Sequence, residues 1–232
     1  MRSPAKPPES RIEALPHRTN GLSKPQATWL LMVFAPLVAL GHWLPALVDG
    51  RTPFLRDLLF FAVPTKAYWA ERIRDGDFPF WTPYLGNGMP FLADPSNQTF
   101  YPLNVVFLAP WISPFAGVTI FVLLHVGLAV PSFTWLALRL GTTAPIACFA
   151  GIVYALSGYV LSVTDSINYL PGVVFVPLAL AAMIPPSRVP GPREIGIGAL
   201  AIACLIFGGT PLDAVFALAG AILVHLSGLD RC

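Results

Sequence analysis

Six apolar runs dominate this chain, and their length decides what it can fold into. A hydrocarbon layer about 30 Å thick is crossed by roughly 20 mostly apolar residues at about 1.5 Å each. The runs are Trp29 to Val48, kinked by Pro36; Phe115 to Leu138; Pro145 to Val163; about Leu170 to Ile184; Ile195 to Phe207; and Leu212 to Leu226. The last three are short, and the fifth closes on Gly208-Gly209-Thr210-Pro211. Only 11% of the 232 residues are charged and 55% are hydrophobic, with a mean hydropathy of +0.67. Soluble domains carry about 25% charged residues, so this chain lacks the polar surface of a water-soluble globule. The expectation is an all-α, polytopic helical membrane bundle of about six spans.

Basic residues set the orientation. A proline-rich polar segment at 1–28 reads as a disordered cytoplasmic tail, too long for a signal peptide, so the first span at 29–48 is read as uncleaved. With the N-terminus inside, Arg139, Arg188, Arg193 and Arg231 join the tail's Lys and Arg on the cytoplasmic side. Arg51, Arg56, Lys66, Arg72 and Arg74 fall together outside, in one loop at 49–104, and the outward turns at 164–169 and 208–213 hold no Lys or Arg. Residues 105–228 then carry about five further spans, and 229–232 form a cytoplasmic end.

The external loop has two parts. Phe54 to Asp75 reads as an interfacial helix with Leu55, Leu58, Ala62, Trp69 and Ile73 near one face, a kink at Pro64 and a stop at Gly76. From Gly76 to Asn104, recurrent Gly and Pro exclude long regular elements, while Phe78, Phe80, Trp81, Tyr84, Phe91, Phe100 and Tyr101 favour a loop folded back on the membrane face.

A formal charge of +2, without a basic run, excludes a nucleic-acid partner. Cys148, Cys204 and Cys232 are far apart and indicate neither disulfides nor a metal knuckle. Taken alone, Asp57 reads as a solvated carboxylate at a helix start, favoured there by the helix dipole, and Asp94 as an Asp-Pro turn residue. Lys66, Arg72 and Arg74 read as cations drawn to anionic headgroups. Asp165, Asn168 and Asp213 read as turn or cap residues, and His125 as a packed, hydrogen-bonded residue.

The order of residues in the loop is more specific. Asp57 is followed by Pro64, then by Gly76-Asp77-Phe78-Pro79-Phe80-Trp81-Thr82-Pro83-Tyr84-Leu85-Gly86-Asn87-Gly88-Met89-Pro90-Phe91-Leu92-Ala93-Asp94-Pro95, and the loop closes on Tyr101-Pro102-Leu103-Asn104. With Ala155-Leu156-Ser157-Gly158-Tyr159 and Gly208-Gly209-Thr210-Pro211, this resembles the N-terminal part of the YfhO-type bacterial membrane proteins, over roughly residues 29–226. Relatives more often carry a His before that last Pro. These proteins belong to the GT-C class of polytopic glycosyltransferases and look-alikes. The resemblance implies transfer of a sugar from a polyprenyl-phosphate carrier to a cell-envelope acceptor, on the outer face of the bacterial cytoplasmic membrane. It makes Asp57 the catalytic base, with Asp94 as a second candidate. Lys66, Arg72 and Arg74 become candidate phosphate ligands. The cofactor is left unknown, with room for a divalent cation, and no metal ligand is assigned. Membrane lipids are the other implied partner. GT-C proteins carry more spans than these six, which points to a truncated remnant or fragment that need not be active. Two rival readings remain: a transporter or flippase, for which the Gly-Gly-Thr-Pro break would interrupt a helix at a binding site, and a non-catalytic assembly partner.

Overall fold

The computed structural model describes residues 33–45, 57–184 and 191–227. The tail at 1–28, the first part of the external loop at 49–56 and the end at 229–232 lie outside the described residues.

Proline marks where most helices begin. Its missing N–H costs nothing in a first turn and its φ is already helical. Proline stands in the first turn of α3 (Pro114–Arg139), α4 (Ala144–Ala155), α6 (Leu170–Met183) and α7 (Pro192–Phe207), and Pro211 opens α8 (Pro211–Ser227). Side-chain caps complete two starts: Ser113 Oγ accepts from the Ala116 N–H before α3, and Ser157 Oγ from the Val160 N–H before α5 (Gly158–Val163). The helix at 33–45, α1, includes a 3-10 turn at Gly41–Trp43.

Ahead of α2 (Val63–Arg74) runs a π-helical turn, Leu58–Ala62. Pro64 explains it. A proline lacks the N–H that would bond four residues back and crowds that carbonyl, so the turn before it widens. Asp75 and Gly76, with φ 75°, end α2 as the sequence leads one to expect. Beyond lie a two-stranded antiparallel hairpin, β1 (Trp81–Thr82) and β2 (Met89–Pro90), paired Trp81 to Pro90, and 3-10 turns at Pro95–Asn97 and Pro102–Leu108.

The bundle is built around α6, whose sequence is apolar on every side and therefore has to be enclosed. It packs against α3, α7 and α8, and α3 packs in turn against α4. Gly151 on α4 permits that last approach, because a Cβ there would stand 2.6 Å from the Val130 carbonyl oxygen. Among the described residues, two helices are long and apolar enough to cross a membrane: α3, of 26 residues, and the run Ala144–Val163, of 20 residues, broken at Leu156 and Ser157. Helix α6 and the first part of α8 are apolar but shorter. The outward faces are apolar too. Phe149 and Val153 on α4, Leu200 on α7, and Phe216 and Leu223 on α8 are more than half exposed, an arrangement that soluble monomers avoid.

The two ends of the bundle differ. At one, Arg139 closes α3 and donates to Glu194 at the start of α7 at 3.1 Å. At the other, the loop that follows α2 meets the turn between α5 and α6 and the turn between α7 and α8.

Candidate functional site

Lys66 fastens the loop to α2, and Gln98 fastens it to the bundle. Lys66 is fully buried on α2, and its Nζ donates to Gln98 Oε1 at 2.8 Å, Asn104 Oδ1 at 2.8 Å and the Asn97 carbonyl at 3.2 Å. Three acceptors match the three donors of an ammonium, though none of them is a carboxylate. Burial pushes the Lys66 pKa well below the usual lysine range. Gln98, in a left-handed conformation with φ 55°, passes the connection on: its Nε2 donates to the Gly208 carbonyl at 2.6 Å and the Ile167 carbonyl at 3.3 Å. Asn104 Nδ2 returns to the Gln98 carbonyl, and Asn97 Nδ2 reaches the Phe91 carbonyl at 2.7 Å. Next to this network Tyr101 O–H donates to His125 Nε2 at 2.6 Å. The donor role follows from His125 Nδ1, which faces the Phe121 carbonyl at 2.7 Å and so carries the ring proton. His125 is thus packed and hydrogen-bonded, as expected of it.

The aromatic residues of the loop divide. Phe91 is buried against Tyr68, ring centroids 5.2 Å apart, and Tyr68 O–H donates to the Trp81 carbonyl at 2.6 Å. Phe80 and Trp81 are largely exposed.

Above the network lies a pocket of about 370 Å³. It is lined by Asp57 and Phe61 at the start of the π turn, Asp94 and Ser96 from the loop, and Asp165, Ser166 and Asn168 from the turn between α5 and α6. Asp94 is held locally, Oδ1 accepting from the Ser96 N–H at 2.9 Å. The turn between α7 and α8 supports this edge from below. Gly209 has φ 95°, and a Cβ there would stand 3.0 Å from the Pro95 carbonyl oxygen and 3.4 Å from Asn168 Cβ. Only a glycine serves both the backbone angle and the close approach.

The two sequence-derived carboxylates, Asp57 and Asp94, therefore border one pocket although 37 positions separate them in the chain (94 minus 57). The three cations do not join them. Lys66 is enclosed beneath the loop, Arg72 pairs with Asp77, and Arg74 Nε caps the Ala70 carbonyl at 3.1 Å. Sequence reasoning assigned Asp165 and Asn168 to the turn alone. The available signal was the alternation of basic residues, from which the sequence reading expected that turn on the same face as the loop. Asn97, Gln98 and Asn104 carried no comparable signal.

Among the described residues, no three His, Cys, Asp or Glu side chains converge closely enough to hold a metal ion. Compared with protein-family models, with curated proteins and with solved structures, the chain matches none.

Proposed function

We propose that this chain forms the membrane bundle and external pocket of a GT-C-like glycosyltransferase, moving a sugar from a polyprenyl-phosphate carrier to a cell-envelope acceptor. The observation that carries this reading is the single pocket bordered by Asp57 and Asp94 together with Asp165, Asn168, Ser96 and Ser166. Carboxylates, an amide and hydroxyls on a concave wall are what a polyhydroxylated ring needs for paired hydrogen bonds, and Phe61 adds an apolar face.

In this mechanism Asp57 accepts the proton of the acceptor hydroxyl as that oxygen bonds to the anomeric carbon. The bond from that carbon to the carrier's phosphate oxygen breaks, and the phosphate leaves with the electron pair, needing no general acid. Asp94 and Asn168 orient sugar hydroxyls. Lys66, Arg72 and Arg74 are committed elsewhere, so the phosphate takes its countercharge from outside these three, and no step is assigned to a metal.

The bundle suits a lipid-borne donor. An almost wholly apolar groove of about 540 Å³ runs between α6 and α7, along Ala182, Gly198, Ile202 and Ile206. It gives the prenyl chain a course toward the loop. In the bilayer α1, α6, α7 and α8 join the two long helices as a six-span bundle, N-terminus inside, in the bacterial cytoplasmic membrane. The shortness of α6 is tolerable because its neighbours, not lipid, surround it.

The test is transfer of labelled sugar from a polyprenyl-phosphate donor into the envelope fraction by the full-length protein. Asp57→Asn keeps the side chain's shape and removes its basicity, and should lower transfer by about 10²–10⁴ in protein that still inserts. Normal transfer by Asp57→Asn rejects Asp57 as the base.

A further inference from the structure

Four phenylalanine rings form an unbroken ladder across the junction of loop and bundle. Phe207, the last residue of α7, meets Phe100 edge-on at 5.7 Å between centroids. Phe100 stacks on Phe78 at 5.6 Å, and Phe78 meets Phe80 at 4.8 Å. Contacts at these spacings are attractive, yet the ladder is not buried. Phe207, Phe100 and Phe80 are 46%, 54% and 63% exposed.

The main chain holds the rings at this surface. Trp69 Nε1 donates to the Thr99 carbonyl at 3.1 Å, just before Phe100. Gln98 Nε2 donates to the Gly208 carbonyl at 2.6 Å, just after Phe207. The Phe80 carbonyl accepts from the Phe91 N–H at 2.9 Å. Three of the four rings thus stand on or beside a fixed peptide, and their outward placement belongs to the fold.

A contiguous exposed row of this kind marks a surface that something covers. Continuity says what. The ladder extends the flank of α7 on which Leu200 and Ile206 are 58% and 47% exposed, and it starts where that helix ends. With the bundle in a bilayer that flank faces lipid, so Phe207 stands at the edge of the hydrocarbon and the ladder leads from there onto the loop. Charge agrees. Asp77, next to Phe78, is paired with Arg72, which neutralises the carboxylate nearest the row. Trp81, 55% exposed after Phe80, brings an indole of the kind that settles at headgroup level.

We propose that this ladder seats the loop in the headgroup and upper acyl region of the bilayer, with lipid as its occupant. The inference rests on the bilayer placement of the bundle given above and not on the sugar chemistry. Apolar rings at an interface bind by burial, so the seating needs no anionic lipid. It holds Asp94, in the same loop, and the pocket that Asp94 borders at the level where a lipid-borne substrate presents its head.

The full chain in nanodiscs of phosphatidylcholine tests this. With Cys148, Cys204 and Cys232 replaced, the fluorophore NBD is attached at Phe80→Cys, or at Leu200→Cys as the bilayer reference. It is quenched either by nitroxide-bearing lipid or by iodide in the water. The Phe80 label should be quenched by the lipid and shielded from iodide, as the Leu200 label is, and adding phosphatidylglycerol should change neither. Phe78→Ser with Phe100→Ser removes the middle of the ladder. It should raise iodide quenching relative to lipid quenching at position 80 by about 3- to 10-fold, with the Leu200 label unmoved as the sign of an intact bundle. A Phe80 label open to iodide and untouched by lipid overturns the seating. Shielding from both quenchers means that protein covers the ladder, and lipid quenching only with phosphatidylglycerol means that charge seats it; either result overturns the proposal as well. If the Leu200 label also fails to meet lipid, the bilayer placement falls and the seating with it. If the Phe80 label alone fails, the placement stands without the seating.

Discussion

Lys66→Met removes the ammonium that pins the loop to α2 while nearly keeping side-chain length and apolar stem. It leaves Gln98 Oε1, Asn104 Oδ1 and the Asn97 carbonyl without their donor. Each buried acceptor so abandoned costs about 1–3 kcal/mol, an upper sum of about 9 kcal/mol. Against this stands the relief of no longer enclosing a cation. The acceptors left behind are neutral, so no uncompensated charge remains, and the expected loss is about 3–5 kcal/mol, the lower part of the range that three abandoned acceptors span. At about 2–4 °C per kcal/mol for a chain of this size, the melting temperature in detergent micelles should fall by about 6–20 °C. The pH dependence has a definite sign. Burial lowers the Lys66 pKa in the folded protein, so between that pKa and about 10.4 the unfolded chain binds more protons. Native stability therefore rises with pH across this window and declines as pH falls through it. Circular-dichroism melts at pH 7 and 9, below the usual tyrosine pKa of about 10, should show the native chain gaining stability and Lys66→Met lacking that gain. A variant that melts within about 2 °C of the native chain, or keeps the same pH slope, refutes Lys66 as the anchor.

Two further substitutions probe the same end of the bundle. Tyr101→Phe keeps the ring but takes the donor from His125 Nε2, and should cost about 1–3 kcal/mol in the same melts, with no loss expected if that contact carries nothing. Gly209→Ala puts a Cβ 3.0 Å from the Pro95 carbonyl at φ 95°. It should cost about 1–2 kcal/mol and reduce sugar transfer by displacing the Asp94 turn, measured by melts and transfer assay in parallel.

Much of the helical framework was legible because its determinants are local. Apolar runs placed α3, α6, α7 and α8 to within a residue or a few, and Gly76 ended α2 where expected, whereas the single run Pro145 to Val163 is broken at Leu156 and Ser157 into α4 and α5. Span count was less legible, since among the described residues two helices reach spanning length where six apolar runs suggested six spans. Periodicity reports an apolar face, whereas the length a helix needs depends on what surrounds it, as the enclosure of α6 illustrates. The interior of the loop was not legible at all. Lys66 was expected to seek an anion, yet its partners are an Asn, a Gln and a carbonyl on irregular turns, where no sequence period brings polar residues together. The shared pocket of Asp57 and Asp94 was accessible only through the ordered pattern of loop residues, and for Asp165 and Asn168 the basic-residue alternation offered a face but not the pocket they line.

The central claim is that the pocket bordered by Asp57 and Asp94 opens to the outside of the membrane. Ser96 lines that pocket, and its contribution to the Asp94 turn comes from its backbone N–H, which a cysteine keeps. With Cys148, Cys204 and Cys232 replaced, a chain carrying Ser96→Cys should react in intact cells with a membrane-impermeant maleimide, to the same extent before and after lysis. Labelling that appears only after lysis would put the pocket on the cytoplasmic side, where a lipid-linked donor presented outside never meets Asp57, and would contradict the account.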